Sequence, residues 1–236
     1  MKYWGEYKIR LAKTILGQQD DIQNLTYYRN QLFYYILLYT LVFSPIAIIP
    51  GIFASVQNGY INIAVLNVIT FLILLILAFI KPIEIEVRKL ILVFLLLIIS
   101  WTLLFELKLE GPGLMYLFTV TLVTCLIHSG KIAYLLILIN SIILIFIGLN
   151  IEFHWFSLAI TEGQSMTTWF GIVVNLIFLS IIIVACFEII FKKLAKIIIQ
   201  QRQLNETVNQ DNKKILDAQL VLKEKNEELN QFAHTI

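Results

Sequence analysis

Glu152 and His154, two apart in "NIEFHWF", are a pair with the types for chemistry. A carboxylate and an imidazole so placed could share a metal ion or register a proton. Two donors fall short of the four ligands of a structural metal, so no metal site is expected. His234, in "EELNQFAHTI", first reads as a candidate catalytic histidine. Glu188 and Lys192, four apart, suit a local ion pair on a helix. Cys125 and Cys186 both fall in apolar runs and read as small core hydrophobes rather than disulfide partners. A second set is polar but embedded in apolar sequence: Asn67, Ser100, Thr102, Glu106, Thr119, Thr121 and Asn175, with Asn140 and Ser141 deeper. With Glu152, His154, Trp155 and Trp169 as a lid, this set forms a candidate ligand pocket. The plainer reading of the same residues is interhelical hydrogen bonds and an interfacial aromatic belt. Apart from His234, no arrangement suggests a catalytic residue.

The elements that hold these residues follow from composition. The chain is 59% hydrophobic, against about 45–50% in soluble domains. The excess lies in long runs between residues 32 and 191. A helix needs about 20 apolar residues to cross a bilayer core. A β-barrel strand would alternate apolar and polar residues, and "FLILLILAFI" does not. The fold class is an all-α membrane protein with six transmembrane helices. The spans are about 32–56, 61–80, 90–107, 114–129, 132–149 and 170–191. Pro45 and Pro50 are expected to kink or break the first. "GPGLMYL" at 111–117 reads as a Gly-Pro turn into the fourth.

The organisation is a cytoplasmic segment 1–30, a membrane sensor domain 31–191 and a cytoplasmic linker 192–236. In the first segment Trp4, Ile9, Leu11, Ile15, Ile22 and Leu25 suit an amphipathic helix on the inner membrane surface. Every one of the 18 Lys and Arg residues except Lys108 falls before the first span, in alternate loops, or after the last. Basic residues favour the cytoplasmic side. Both termini are therefore placed in the cytoplasm, and the inner face suits anionic lipid headgroups. Nucleic acid is not an expected partner, because the basic residues track the membrane rather than a groove. The outer loop 150–169 is too short for a separate sensor domain. Sensing must then use the bundle itself.

The tail carries a heptad. From Leu194 the a positions are Leu194, Gln201, Val208, Ile215, Leu222, Leu229 and Ile236; the d positions are Ile197, Leu204, Asp211, Ala218, Lys225 and Phe232. Six repeats predict a left-handed coiled coil, parallel and dimeric, with Asp211, Ala218 and Lys225 weakening its d row. No Gly or Pro interrupts residues 172–236, so the last span is expected to run into the coil as one helix. His234 falls at heptad position f, on the wet side, and loses its catalytic reading.

"EELNQFAHTI" resembles the start of the dimerisation and phosphoacceptor helix of bacterial sensor histidine kinases. Glu228, Leu229, Gln231 and Phe232 match the lead-in, and Ala233, His234 and Thr235 take the variable positions. The resemblance implies a phosphoacceptor His at the second position past Ile236, so the chain reads as truncated just before it. "GPGLMYL" in turn resembles the outer start of a span in six-helix regions joined to some bacterial sensory kinases. The implied function is the sensor and signal-transmission half of a homodimeric kinase in a bacterial cytoplasmic membrane. ATP, Mg²⁺ and a response regulator would serve the full-length protein; these residues hold no expected cofactor or kinase activity. The ligand is not named by the sequence. Competing readings are the same sensor with another dimeric output such as a nucleotide cyclase, a small transporter or channel, and a scaffold with a dimerising tail.

Overall fold

The structure, a computed structural model, describes residues 25–80, 82–156, 160 and 164–234, with the backbone alone at 224 and 226–234. The amphipathic segment expected before Leu25 lies outside the described residues. Six α-helices follow in order: α1 Leu25–Gln57, α2 Ile61–Phe79, α3 Ile85–Leu107, α4 Gly113–Ile127, α5 Gly130–Phe153 and α6 Met166–His234. A short 3₁₀ turn, Lys108–Glu110, links α3 to α4. Helices are what such runs must form, because lipid satisfies no backbone group and a helix satisfies its own.

Among the described residues, α1, α2, α3 with its following turn, α5 and α6 are long and apolar enough to cross a membrane. Their lipid-facing sides carry exposed Phe43, Ile46, Phe94, Leu138, Phe178 and many like them. In water such a surface would drive aggregation; in a bilayer it is solvated. The protein is a multi-pass membrane protein.

Pro45 and Pro50 both lie inside α1, which continues through them instead of breaking. Each removes one donor, a loss that membrane helices tolerate where neighbouring groups re-satisfy the backbone. α4 has 15 residues, which span about 22 Å at 1.5 Å per residue. It packs against α1, α3, α5 and α6. Leu114, Leu117, Val120, Thr121, Val123, Thr124, Cys125 and Ile127 are all buried. A helix wrapped by protein need not match the lipid thickness. Thr121 and Thr124 donate back to Leu117 and Val120 carbonyls at 3.1 and 2.8 Å, so neither hydroxyl is orphaned inside the core. A Cβ on Gly113 would stand 2.6 Å from the Leu104 nitrogen, so only glycine lets α4 start against α3.

Two core clusters divide the bundle along its length. The end from which α6 continues is called here the tail side, and the other the far side. The tail-side cluster joins α1–α4 through Phe33, Leu37, Leu38, Leu77, Leu92 and Ile127. The far-side cluster joins α3–α6 through Leu104, Leu117, Leu144, Ile147, Trp169 and Val173. A smaller group of Cys125, Ala133, Ile137 and Val184 fills the space between α4, α5 and α6 on the tail side.

α3 begins at Ile85, five residues before the predicted span, and takes Arg88 and Lys89 into the helix. Arg88 is only 1% exposed. Its guanidinium donates to the carbonyls of Leu77, Ile80 and Ile83 at 2.6, 2.6 and 2.8 Å. Those oxygens belong to the end of α2 and the turn beyond it, where carbonyls lack helical partners and a cation is favoured. Lys89 is buried too and pairs with Glu86 at 2.6 Å. Two cations that read as loop charges are therefore structural members of the α2–α3 corner.

Candidate functional site

Trp169 is the largest side chain that α6 buries in the bundle. Trp169 is fully buried, and its indole N–H donates to the Leu144 carbonyl of α5 at 2.9 Å. Gly148, one turn along α5, makes the room: a Cβ there would lie 2.8 Å from Trp169 Cδ1. A buried indole needs such an acceptor, because an unmade bond in apolar surroundings is costly.

The far side of the bundle carries two openings. The larger, about 540 Å³, lies between α3 and α5; Phe94, Trp101, Ile139 and Ile143 form its apolar wall, and Thr102, Glu106 and Asn140 its polar groups. The smaller, about 320 Å³, lies among α1–α4 and is edged by Ser55, Asn58, Tyr60, Asn67 and Tyr116. Glu106 accepts a hydrogen bond from Asn62 at 2.8 Å, which ties α2 to α3 beside the larger opening. An apolar wall with a few convergent polar groups suits an amphiphile or a small apolar ligand drawn from the membrane.

The candidate pocket residues separate between these places. Thr102 and Glu106 come together in the α3–α5 groove. Asn67 lines the other opening. Thr121, Asn140, Ser141 and Ser180 line an interior gap of about 10 Å³, near the lower limit for one water. Ser100 is buried and donates to the Leu96 carbonyl at 2.6 Å. Trp169 belongs to the core rather than to a lid. Thr119 and Asn175 are exposed, each bonded to the carbonyl four residues back in its own helix. Glu152, His154 and Trp155 are exposed at the end of α5. His154 Nδ1 lies 3.1 Å from the Glu152 backbone oxygen, not from its carboxylate, and Trp155 stacks on Phe153 at 5.2 Å. Among the described residues, no three His, Cys, Asp or Glu side chains are grouped to hold a metal.

Asn150 was not singled out by sequence. It is 1% exposed; its amide donates to the Phe156 carbonyl at 2.9 Å and accepts from the Phe156 nitrogen at 2.8 Å. This closes the turn after α5, where His154 takes the left-handed conformation at φ 51°. Asn58 and Asn62 also went unmarked, although two amides four apart at the mouth of a hairpin were a readable signal.

On the tail side, cations enter the bundle. The Arg29 guanidinium lies over the Phe191 ring at 5.1 Å, a cation–π contact from α1 to α6. Lys192 pairs with Glu188 at 2.9 Å. His128, in the turn between α4 and α5, has Nδ1 3.9 Å from a Glu86 carboxylate oxygen. Burial holds its pKa below the ordinary histidine value; Lys89 and Arg29 push the same way, and Glu86 opposes them.

From Ile199 onward the described side chains of the helix are exposed. Ile197, Leu204, Val208, Ile215 and Leu222 of the predicted seam are exposed, and Leu194 is half-buried. The side chains of Leu229 and Phe232, and all of Ile236, lie outside the described residues. Residues 27–194 match the family model of MASE11, a membrane-associated sensory domain family. The chain belongs to the MASE11 family. The MASE11 match opens in the first turn of α1 and closes at Leu194, just past the bundle, so it takes in all six helices and leaves the free part of α6 outside. No curated protein and no solved structure matches the chain.

Proposed function

We propose that this MASE11 bundle is the sensor and signal-transmission module of a homodimeric two-component histidine kinase. The observation that carries the reading is the single helix Met166–His234, anchored in the bundle by Trp169 and projecting well past it. A rigid rod is what a membrane event needs to reach a distant output. All six helices cross the membrane in this reading, α4 within the bundle, and both termini face the cytoplasm. The row from Leu194 to Leu222, exposed from Ile197 on, pairs with a second copy as a parallel coiled coil, continued by Leu229, Phe232 and Ile236. The stimulus enters through the α3–α5 groove, where Thr102 and Glu106 meet an apolar wall. A kinase core joined after the coil uses ATP and Mg²⁺ and passes phosphate to a response regulator.

The family match ends at Leu194, so the output rests on "EELNQFAHTI". A nucleotide cyclase on the same coil is the second reading, which that boundary leaves open and "NQFAHTI" disfavours. The deciding experiment joins residues 1–236 in frame to a histidine-kinase dimerisation and catalytic core and measures autophosphorylation in membranes. Inserting one heptad of seven residues after Lys225 should preserve activity, and insertions of three or four should change it, because they rotate the seam. Activity indifferent to every insertion would sink the transmission reading.

A further inference from the structure

A cavity of about 240 Å³ lies at the root of α6 on the tail side, lined by Arg29 of α1, Ser129 and Lys131 at the start of α5, and Glu188, Phe191 and Lys192 of α6. We infer that it binds the phosphate of an anionic membrane lipid. Three cations from three helices face one carboxylate, and Glu188 is already paired with Lys192. Among the described residues, neither Arg29 nor Lys131 forms an ion pair. The Arg29 Nε is buried without a hydrogen-bond partner there, a state that a native structure relieves with an acceptor. Ser129 precedes α5 without capping it through its side chain, so the positive end of that helix adds to the same field.

A phosphate diester supplies what these groups lack: a fixed negative charge and several acceptor oxygens. A lipid is favoured over soluble phosphate because Leu25 stands at the rim and Ile189 and Ile190 are exposed on the flank of α6. Those side chains offer an acyl chain a place to lie while the headgroup enters. A bound headgroup would join α1 and the α4–α5 turn to α6 just where the helix leaves the bundle.

The test uses the full chain purified in detergent with equal phosphatidylglycerol and phosphatidylcholine, and native mass spectrometry to count retained lipid. Wild type should retain phosphatidylglycerol in preference. Arg29→Gln with Lys131→Gln should reduce that preference by roughly five-fold for each cation removed. Arg29→Lys, which keeps the charge, should hold most of it. Lys213→Gln with Lys214→Gln, in the exposed tail, should change nothing. An equal loss in the tail variant, or none in the cavity variant, overturns the site. Displacement of phosphatidylglycerol by millimolar inorganic phosphate overturns the lipid assignment.

Discussion

One helix in this protein lives in two environments. From Met166 to Phe191, α6 buries Trp169, Val173, Ser180, Val184 and Phe191 against α4 and α5. From Lys196 to Lys223 almost every side chain is exposed, apolar ones included. The backbone is the same regular helix throughout. Packing fixes the first part, whereas isolated helices in water are marginal and the second part has only local support. That support includes Arg202–Glu206 at 3.1 Å and Lys214–Asp211 at 3.2 Å, exposed pairs worth about 0.3–0.5 kcal/mol each. One part of the helix is held; the other is presented.

The comparison breaks most sharply at Trp169. Trp169→Ala removes a fully buried indole and its bond to Leu144, a loss of about 3–5 kcal/mol. Thermal unfolding in detergent should show the largest drop of any single change, and the drop should persist when the tail is deleted after Leu194. Gly148→Val attacks the same contact from α5, where its Cβ would strike the indole ring. Arg88→Met ranks next. It leaves three carbonyls at the α2–α3 corner without their guanidinium, a cost of about 2–4 kcal/mol in the same assay. A surface cation would lose far less, so a shift under about 0.5 kcal/mol would show that Arg88 is not the cap of α2.

The presented part should respond in the opposite way. Ile215→Asp with Leu222→Asp puts like charges on the seam, and dimerisation should weaken by on the order of tenfold or more. Disulfide cross-linking through Val208→Cys in membranes reads this directly, after Cys125 and Cys186 are replaced by Ser. The melting of the bundle itself should not move. If both quantities fall together, the two parts of α6 are one cooperative unit and the contrast between them is lost.

The sequence carried depth but not direction. Apolar runs located the six described helices, since a lipid-embedded chain has few alternatives, and the absence of Gly and Pro after residue 172 announced a continuous α6. The distance of a polar residue from a helix end follows from the rise per residue. Its azimuth does not, because these helices are apolar on nearly all sides and give no face to read. Thr119 and Thr121 sit two apart, yet one is exposed and the other buried. Asn175, at the depth expected for a pocket, faces outward. Arg88 and Lys89 were counted as loop cations because the charge rule sees position alone; the carbonyls that bind Arg88 exist only once α2 and α3 are brought together. Trp169 reads as a belt residue until Gly148, 21 positions earlier, is seen to open a space for it.

The smallest effect sharpens the contrast between the tail side, where cations are drawn into the bundle, and the far side. Burial holds the His128 pKa below the ordinary histidine value, with Lys89 and Arg29 adding to that push and Glu86 opposing it. Its folded pKa lies below its unfolded value, so the unfolded chain takes up the proton first. Stability is then complete above the ordinary histidine pKa and falls as the pH drops through and below it. His128→Gln removes the titrating group and should flatten that slope when thermal unfolding is followed from neutral to mildly acid pH. A slope that survives His128→Gln would move the pH response to another group and remove the tail side's claim to it.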